Sequence, residues 1–147
     1  MWMRSKKALG KAGRVAANSL LRQLSTSPGV EINCRQPIGE GLEIRHAHDI
    51  VIGAGAIVGK NLTVYNGVTL GARRLKDLDD DGSGDQDRYP TVEDDVTIFS
   101  GAKVLGPVTI GKGSTIGANA VVLDSFPPKS VIAGVPARLI RSVDPCR

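Results

Sequence analysis

The chain has 147 residues, 41% hydrophobic and 23% charged, with a formal net charge of +4 and only 3% aromatic residues. That length holds one domain and hardly two, the composition is that of a folded soluble protein, and no apolar run approaches the roughly 20 residues of a membrane span. With one Trp, two Tyr and two Phe, the core has to be packed from Val, Ile, Leu and Ala at some tightly repeated geometry.

Residues 1–27 form the first expected unit. Arg4, Lys6, Lys7, Lys11, Arg14 and Arg22 occur there without a single acid, a local charge of +6 that leaves −2 for residues 28–147. The basic charge is therefore that of a tail, and nucleic acid is not an expected partner. Leu9, Ala12, Ala16, Leu20 and Leu24 recur at helical spacing, which predicts a short amphipathic helix ended by Ser27-Pro28-Gly29. Docking on the body, contact with an anionic membrane surface or a partner, and a transit segment all stay open for it. Cys34 and Cys146 make no Cys-x-x-Cys pair, and without a secretory apolar region they are expected to remain thiols. The expected location is cytoplasmic, with a membrane-peripheral variant through the basic helix.

From residue 28 onward the sequence repeats. An aliphatic residue followed by a small or polar one recurs on a six-residue beat at Ile38 and Ile44, then at Ile52, Val58, Val64 and Leu70, and again at Val92, Ile98, Val104, Ile110, Ile116 and Val122. Ala56, Val68, Val96, Ala102, Val108, Ser114 and Ala120 fall four positions after the aliphatic residue. An amphipathic helix or an alternating strand would not keep both marks. The period predicts a short strand and a tight turn per unit, three units making one triangular coil that stacks its aliphatic residues on those of its neighbours. Gly and Asn would take the corners, where a sharp bend needs positive φ. Residues 72–91 interrupt the beat with a long segment rich in Asp, Arg and Gly, and such a projecting loop in a regular solenoid often serves a site. Asp77-Leu78-Asp79-Asp80-Asp81-Gly82 fits the first half of a calcium loop, but the twelfth position falls on Arg88, where a bidentate Glu is needed.

These segments resemble the hexapeptide-repeat acyltransferases, and within them the serine acetyltransferases and related exopolysaccharide acetyltransferases. The resemblance covers roughly residues 30–141. It is carried by Val30-Glu31-Ile32, Gly41 to Ala47, Gly67-Val68-Thr69-Leu70-Gly71, Asp87-Arg88-Tyr89-Pro90, Gly101 to Gly106, and the highly specific Ala133-Gly134-Val135-Pro136-Ala137-Arg138. It implies an all-β, left-handed parallel β-helix, a homotrimer, and acetyl-CoA as co-substrate. The left hand comes from the resemblance alone, since ordinary parallel crossovers are right-handed.

The chain has two histidines, His46 and His48, and if their segment is extended both side chains leave on one face. Such a pair could ligate zinc, but a catalytic site of that kind needs a third histidine that the chain lacks, so no metal is expected. The other reading is a general base, for which an imidazole suits neutral pH. The resemblance points to His46 as that base, with Glu31 where the family carries an orienting Asp. It implies acceptor contacts at Arg88 and at Tyr89, which stands where the family has a second His and could offer a hydroxyl or stack on a sugar ring. Gly71, Ala72, Ser100, Gly101 and Ala118 correspond to the coenzyme A groove, although corner geometry explains small residues equally well. Arg45 stands where serine acetyltransferases carry an Asp that helps hold the substrate ammonium, and the basic tail is too short to replace their helical N-terminal domain. The expected reaction is therefore acetyl transfer from acetyl-CoA to a hydroxyl, on a saccharide acceptor first, with serine as one alternative and a non-catalytic trimeric scaffold as another.

Overall fold

The aliphatic residues of the six-residue beat turn inward. Ile52, Val58, Val64 and Leu70 before the interruption, and Val92, Ile98, Val104, Ile110, Ile116 and Val122 after it, are buried, as are the small residues four positions on. Burial of each such side chain contributes about 1.5–3 kcal/mol, and no large ring is needed to fill the narrow section. The computed structural model describes residues 29–33, 38–73 and 88–143. The helix expected in residues 1–27, both cysteines and most of the interruption lie outside the described residues.

Among the described residues fourteen short strands, numbered in chain order, build three faces. Sheet 1 holds β1 (Val30–Ile32), β3 (Ile50–Ile52), β6 (Thr69–Gly71), β9 (Lys103–Leu105) and β12 (Val121–Val122). Sheet 2 holds β4 (Ile57–Val58), β7 (Thr91–Val92) and β10 (Thr109–Ile110), continued by a parallel bridge from Ile110 to Phe126. Sheet 3 holds β2 (Glu43–Ile44), β5 (Thr63–Val64), β8 (Thr97–Ile98), β11 (Thr115–Ile116), β13 (Ser130–Gly134) and β14 (Ala137–Ser142). The chain visits sheets 1, 2 and 3 in turn, and every pairing except the last is parallel. This is the left-handed parallel β-helix. Thr91 pairs with Thr109 and Thr97 with Thr115, so a coil is three six-residue units.

The antiparallel β13–β14 hairpin closes the C-terminal end. At the other end Ile32, Ile38, Leu42 and Ile44 are only partly buried. Corner residues stack from coil to coil. Between sheets 2 and 3, Gly41, Asn61, Asp95, Gly113 and Lys129 are all left-handed. Asn61 donates its side-chain amide to the Asp95 carboxylate at 2.8 Å. That bond, with Lys112 Nζ 3.4 Å from the same carboxylate, holds the Asp95 carboxyl below its ordinary 3.8.

Candidate active site

Between β2 and β3 the chain takes two residues more than a coil needs. Glu43 pairs with Thr63 and Val51 with Thr69, so the passage takes eight residues in the first coil and six in the next. The surplus is housed at residues 45–49, where the His48 N–H donates to the His46 carbonyl at 2.8 Å in a three-residue turn. His46 (φ 58) and Asp49 (φ 59) are both left-handed. Asp49 matches Gly67, Gly101 and Asn119, left-handed at the same corner in later coils, whereas His46 has no counterpart. A non-glycine residue held there costs about 1–3 kcal/mol, and such strain gathers at functional positions. Residues 46–49 are exposed. The extended His-Ala-His segment that would send both side chains out on one face is therefore not what forms: the two surplus residues turn the chain there. Among the described residues no group of three or more His, Cys, Asp or Glu could hold a metal.

Near His46 the side chains of Arg45, Glu43 and Glu31 are already engaged. The Arg45 guanidinium pairs with the Glu43 carboxylate at 2.7 Å, and the Arg45 backbone N–H donates to the Val64 carbonyl. Arg45 thus stands at the head of an outer row of sheet 3 that continues through Tyr65 and Phe99, whose rings stack with centroids 5.0 Å apart. Glu31, on the outer side of β1, accepts a 2.6 Å hydrogen bond from the Asn33 side chain. Among the described residues no hydrogen bond joins it to His46.

Three of the five residues expected along a coenzyme groove share the corner of His46. The Gly67 N–H donates to the His48 carbonyl, the Gly101 N–H to that of Asn66, and the Asn119 N–H to that of Ser100. This ladder puts Ser100, Gly101 and Ala118 on one edge of the coil, leading away from His46. The Ser100 hydroxyl is bonded to the Asn66 side-chain oxygen at 3.0 Å, and Ala118 is exposed. Gly101 is left-handed (φ 75), and a Cβ on it would lie 2.1 Å from Asn119 Oδ1, so a side chain there would have to displace the Asn119 amide. Gly71 and Ala72 lie elsewhere, at the far end of β6, where the Gly71 carbonyl accepts the Gly106 N–H. The opposite edges of sheet 1 are about 10 Å apart, a three-residue strand at some 3.3 Å per residue.

The end of the interruption is anchored on that far edge. A Cβ on Gly53 would lie 2.6 Å from Tyr89 Cε1, and one on Gly55 only 2.3 Å from Tyr89 Cδ2. The aromatic ring is thus seated on the Gly53-Ala54-Gly55 corner, with Arg88 half-buried beside it. One face of the Tyr89 ring is laid on the coil. Tyr89 fixes the root of the loop, a role the Gly-x-Gly at one corner could have signalled. The Asp77–Gly82 run of the calcium reading lies outside the described residues.

Residues 89–124 match a family model described as bacterial transferase hexapeptide (six repeats). The chain is 43% identical over 147 residues to a serine acetyltransferase of Mycobacterium tuberculosis, covering 99% of this chain and 57% of that protein. Among solved structures, the serine acetyltransferase of Vibrio cholerae superposes with a TM-score of 0.70 at 34% identity, covering 91% of this chain and 49% of that one. The soybean serine acetyltransferase complexed with serine gives a TM-score of 0.68 at 36% identity, covering 86% of this chain and 49% of that one. The chain spans about half the length of the relatives it matches.

Proposed function

We propose that this chain, which belongs to the hexapeptide-repeat transferases and within them to the serine acetyltransferase-like group, transfers an acetyl group from acetyl-CoA to the hydroxyl of serine. The observation that carries the reading is His46, held left-handed on a widened corner at the head of the Gly67–Gly101–Ala118 edge. In this reading His46 takes the proton of the acceptor hydroxyl as its oxygen attacks the thioester carbonyl. Backbone N–H groups stabilise the oxyanion of the tetrahedral intermediate, which collapses by breaking the carbon–sulfur bond. The departing thiolate then takes the proton back from His46, and no acyl-enzyme is needed. Glu31 would serve by orienting His46, after exchanging its bond to Asn33.

Serine takes precedence over the saccharide acceptor expected from the sequence, because the relatives that support acetyl transfer are named serine acetyltransferases. A saccharide hydroxyl stays as the second reading on one observation: Arg45, immediately before His46, is paired with Glu43, which leaves no carboxylate at that position to receive an ammonium. The partner proposed is two further copies of the chain, making a homotrimer. His46 and the Arg88–Tyr89 root lie on opposite edges of sheet 1, so packing of coils side by side could bring one copy's His46 to another's loop. The unit proposed to assemble is residues 28–147, with 1–27 as a separate basic segment.

Coenzyme A release from acetyl-CoA, followed with serine and with a panel of sugars, tests the reading. Serine-dependent release is the expected result. Release with sugars alone would replace the acceptor, and failure to bind acetyl-CoA would favour a scaffold without chemistry. Sedimentation equilibrium at three times the chain mass is the expected outcome for the assembly.

A further inference from the structure

Among the described residues four Asn or Asp occupy left-handed corner positions, and the side chains of three reach a neighbouring coil. Asn61 donates to Asp95 at 2.8 Å, so both are engaged, and the Asn119 side-chain oxygen lies over the bare Cα of Gly101. Asp49 is the fourth and breaks the pattern. The residue one coil before it is Gly29, and what stands over Gly29 is the Asp49 backbone nitrogen at 3.3 Å from an ideal Cβ, together with the Cα and Cβ of His48. The two surplus residues of the corner have put His48 where the Asp49 side chain would otherwise lie. Among the described residues the Asp49 carboxylate has no hydrogen bond or ion pair, and the residue is exposed.

The carboxylates on either side are engaged. Glu43 is paired with Arg45 at 2.7 Å, and Glu31 accepts the Asn33 amide at 2.6 Å. Asp49 is thus the uncommitted negative charge on the very turn that carries His46, three residues along. We infer that Asp49 is a specificity-determining residue that receives the acceptor's ammonium group while His46 addresses its hydroxyl, an assignment that rests on the serine reading above. It explains how the corner can present Arg45 before His46 and still take an amino acid: Glu43 neutralises the arginine, and the acid that reads the ammonium follows the histidine.

The test uses the full chain, with serine and with 3-hydroxypropionate, which keeps the hydroxyl and carboxylate and lacks the amine. Asp49→Asn is expected to raise KM for serine about ten- to hundredfold, the scale of one charge-assisted bond, with KM for acetyl-CoA held. The wild-type preference for serine over 3-hydroxypropionate should collapse by the same factor, and Asp49→Glu should restore part of it. A general loss of structure would lower both acceptors together and would not move the preference. Unchanged serine KM and unchanged preference in Asp49→Asn, with an active wild type, would overturn this assignment alone. A wild type that releases coenzyme A with sugars and never with serine would overturn the acceptor reading, and this assignment with it.

Discussion

Gly55→Ala isolates the seat of Tyr89 from everything else in the coil. Gly55 is buried and does not have positive φ, so an alanine there adds no backbone strain of its own. Its new Cβ would lie 2.3 Å from Cδ2, 2.9 Å from Cγ and 3.0 Å from Cε2 of the Tyr89 ring, where ordinary contact begins at 3.4 Å. A planar ring has no flexible end to swing aside, so the whole side chain must retreat by about 1 Å. Overpacking of this kind costs about 1–3 kcal/mol. Against that, replacing Gly by Ala at a compatible position stabilises by roughly 0.4–1 kcal/mol through the unfolded chain. The single variant should therefore be destabilised by about 1–2 kcal/mol, and the sign should reverse in a Tyr89→Ala background, where the obstacle is gone. Urea denaturation of the four members of this double-mutant cycle, at one protein concentration, reads the coupling. Acetyl transfer in Gly55→Ala should show a higher acceptor KM, because Arg88 moves with the loop root. A loss of stability that persists undiminished in the Tyr89→Ala background would refute the seat.

His46→Ala should lower turnover by about two to four orders of magnitude while acetyl-CoA binding, measured by calorimetry, stays intact; wild-type turnover in that variant would sink the assignment of the base. Ile98→Ala, in the fully buried column, should cost about 2–5 kcal/mol in denaturation, and Ile140→Ala, 62% exposed on β14, less than about 0.5 kcal/mol. The Asp95 carboxyl, held low first by the Asn61 hydrogen bond, favours folding above its unfolded value, and that contribution is lost as pH falls through its lower folded value. Asn61→Ala should accordingly flatten the acid limb of the stability profile below about pH 4, while leaving the neutral and alkaline limbs parallel to wild type.

The coil was legible because it obeys one rule many times over. Each buried Ile, Val or Leu is specified by its own place in the beat, and each small residue four positions on by the narrowness of the section, so local sequence and global packing agree at every unit. The hand of the coil was not legible in this way. A six-residue period fixes how far the chain travels along each face, and a right- or left-handed path satisfies it equally. The hand came from resemblance.

The site was legible in its residues and not in its relations. Glu31 and His46 could be aligned with a family, but whether their side chains meet depends on competitors such as Asn33, just past the Val30-Glu31-Ile32 motif, whose bond to Glu31 no motif announces. Tyr89 could be noticed as a replacement, but its ring is held by Gly53 and Gly55, thirty-odd positions earlier, through a contact that exists only once the coil has brought them together. The widened corner is different, because its signal was present in the sequence. The beat runs from Ile38 to Ile44 in six steps and from Ile44 to Ile52 in eight, and the two extra residues fall among Arg45, His46, Ala47, His48 and Asp49. In a solenoid whose core fixes the spacing of every inward residue, an extra pair cannot be absorbed by the core and must be expelled at a corner. There it has to break the regular dihedrals, and here it puts His46 in a left-handed conformation at a position with no counterpart at this corner in later coils. A departure from the period thus locates the strained and chemically distinctive residue of the chain more directly than the residue types do, since His48 is also a histidine and only the geometry of the surplus separates the two.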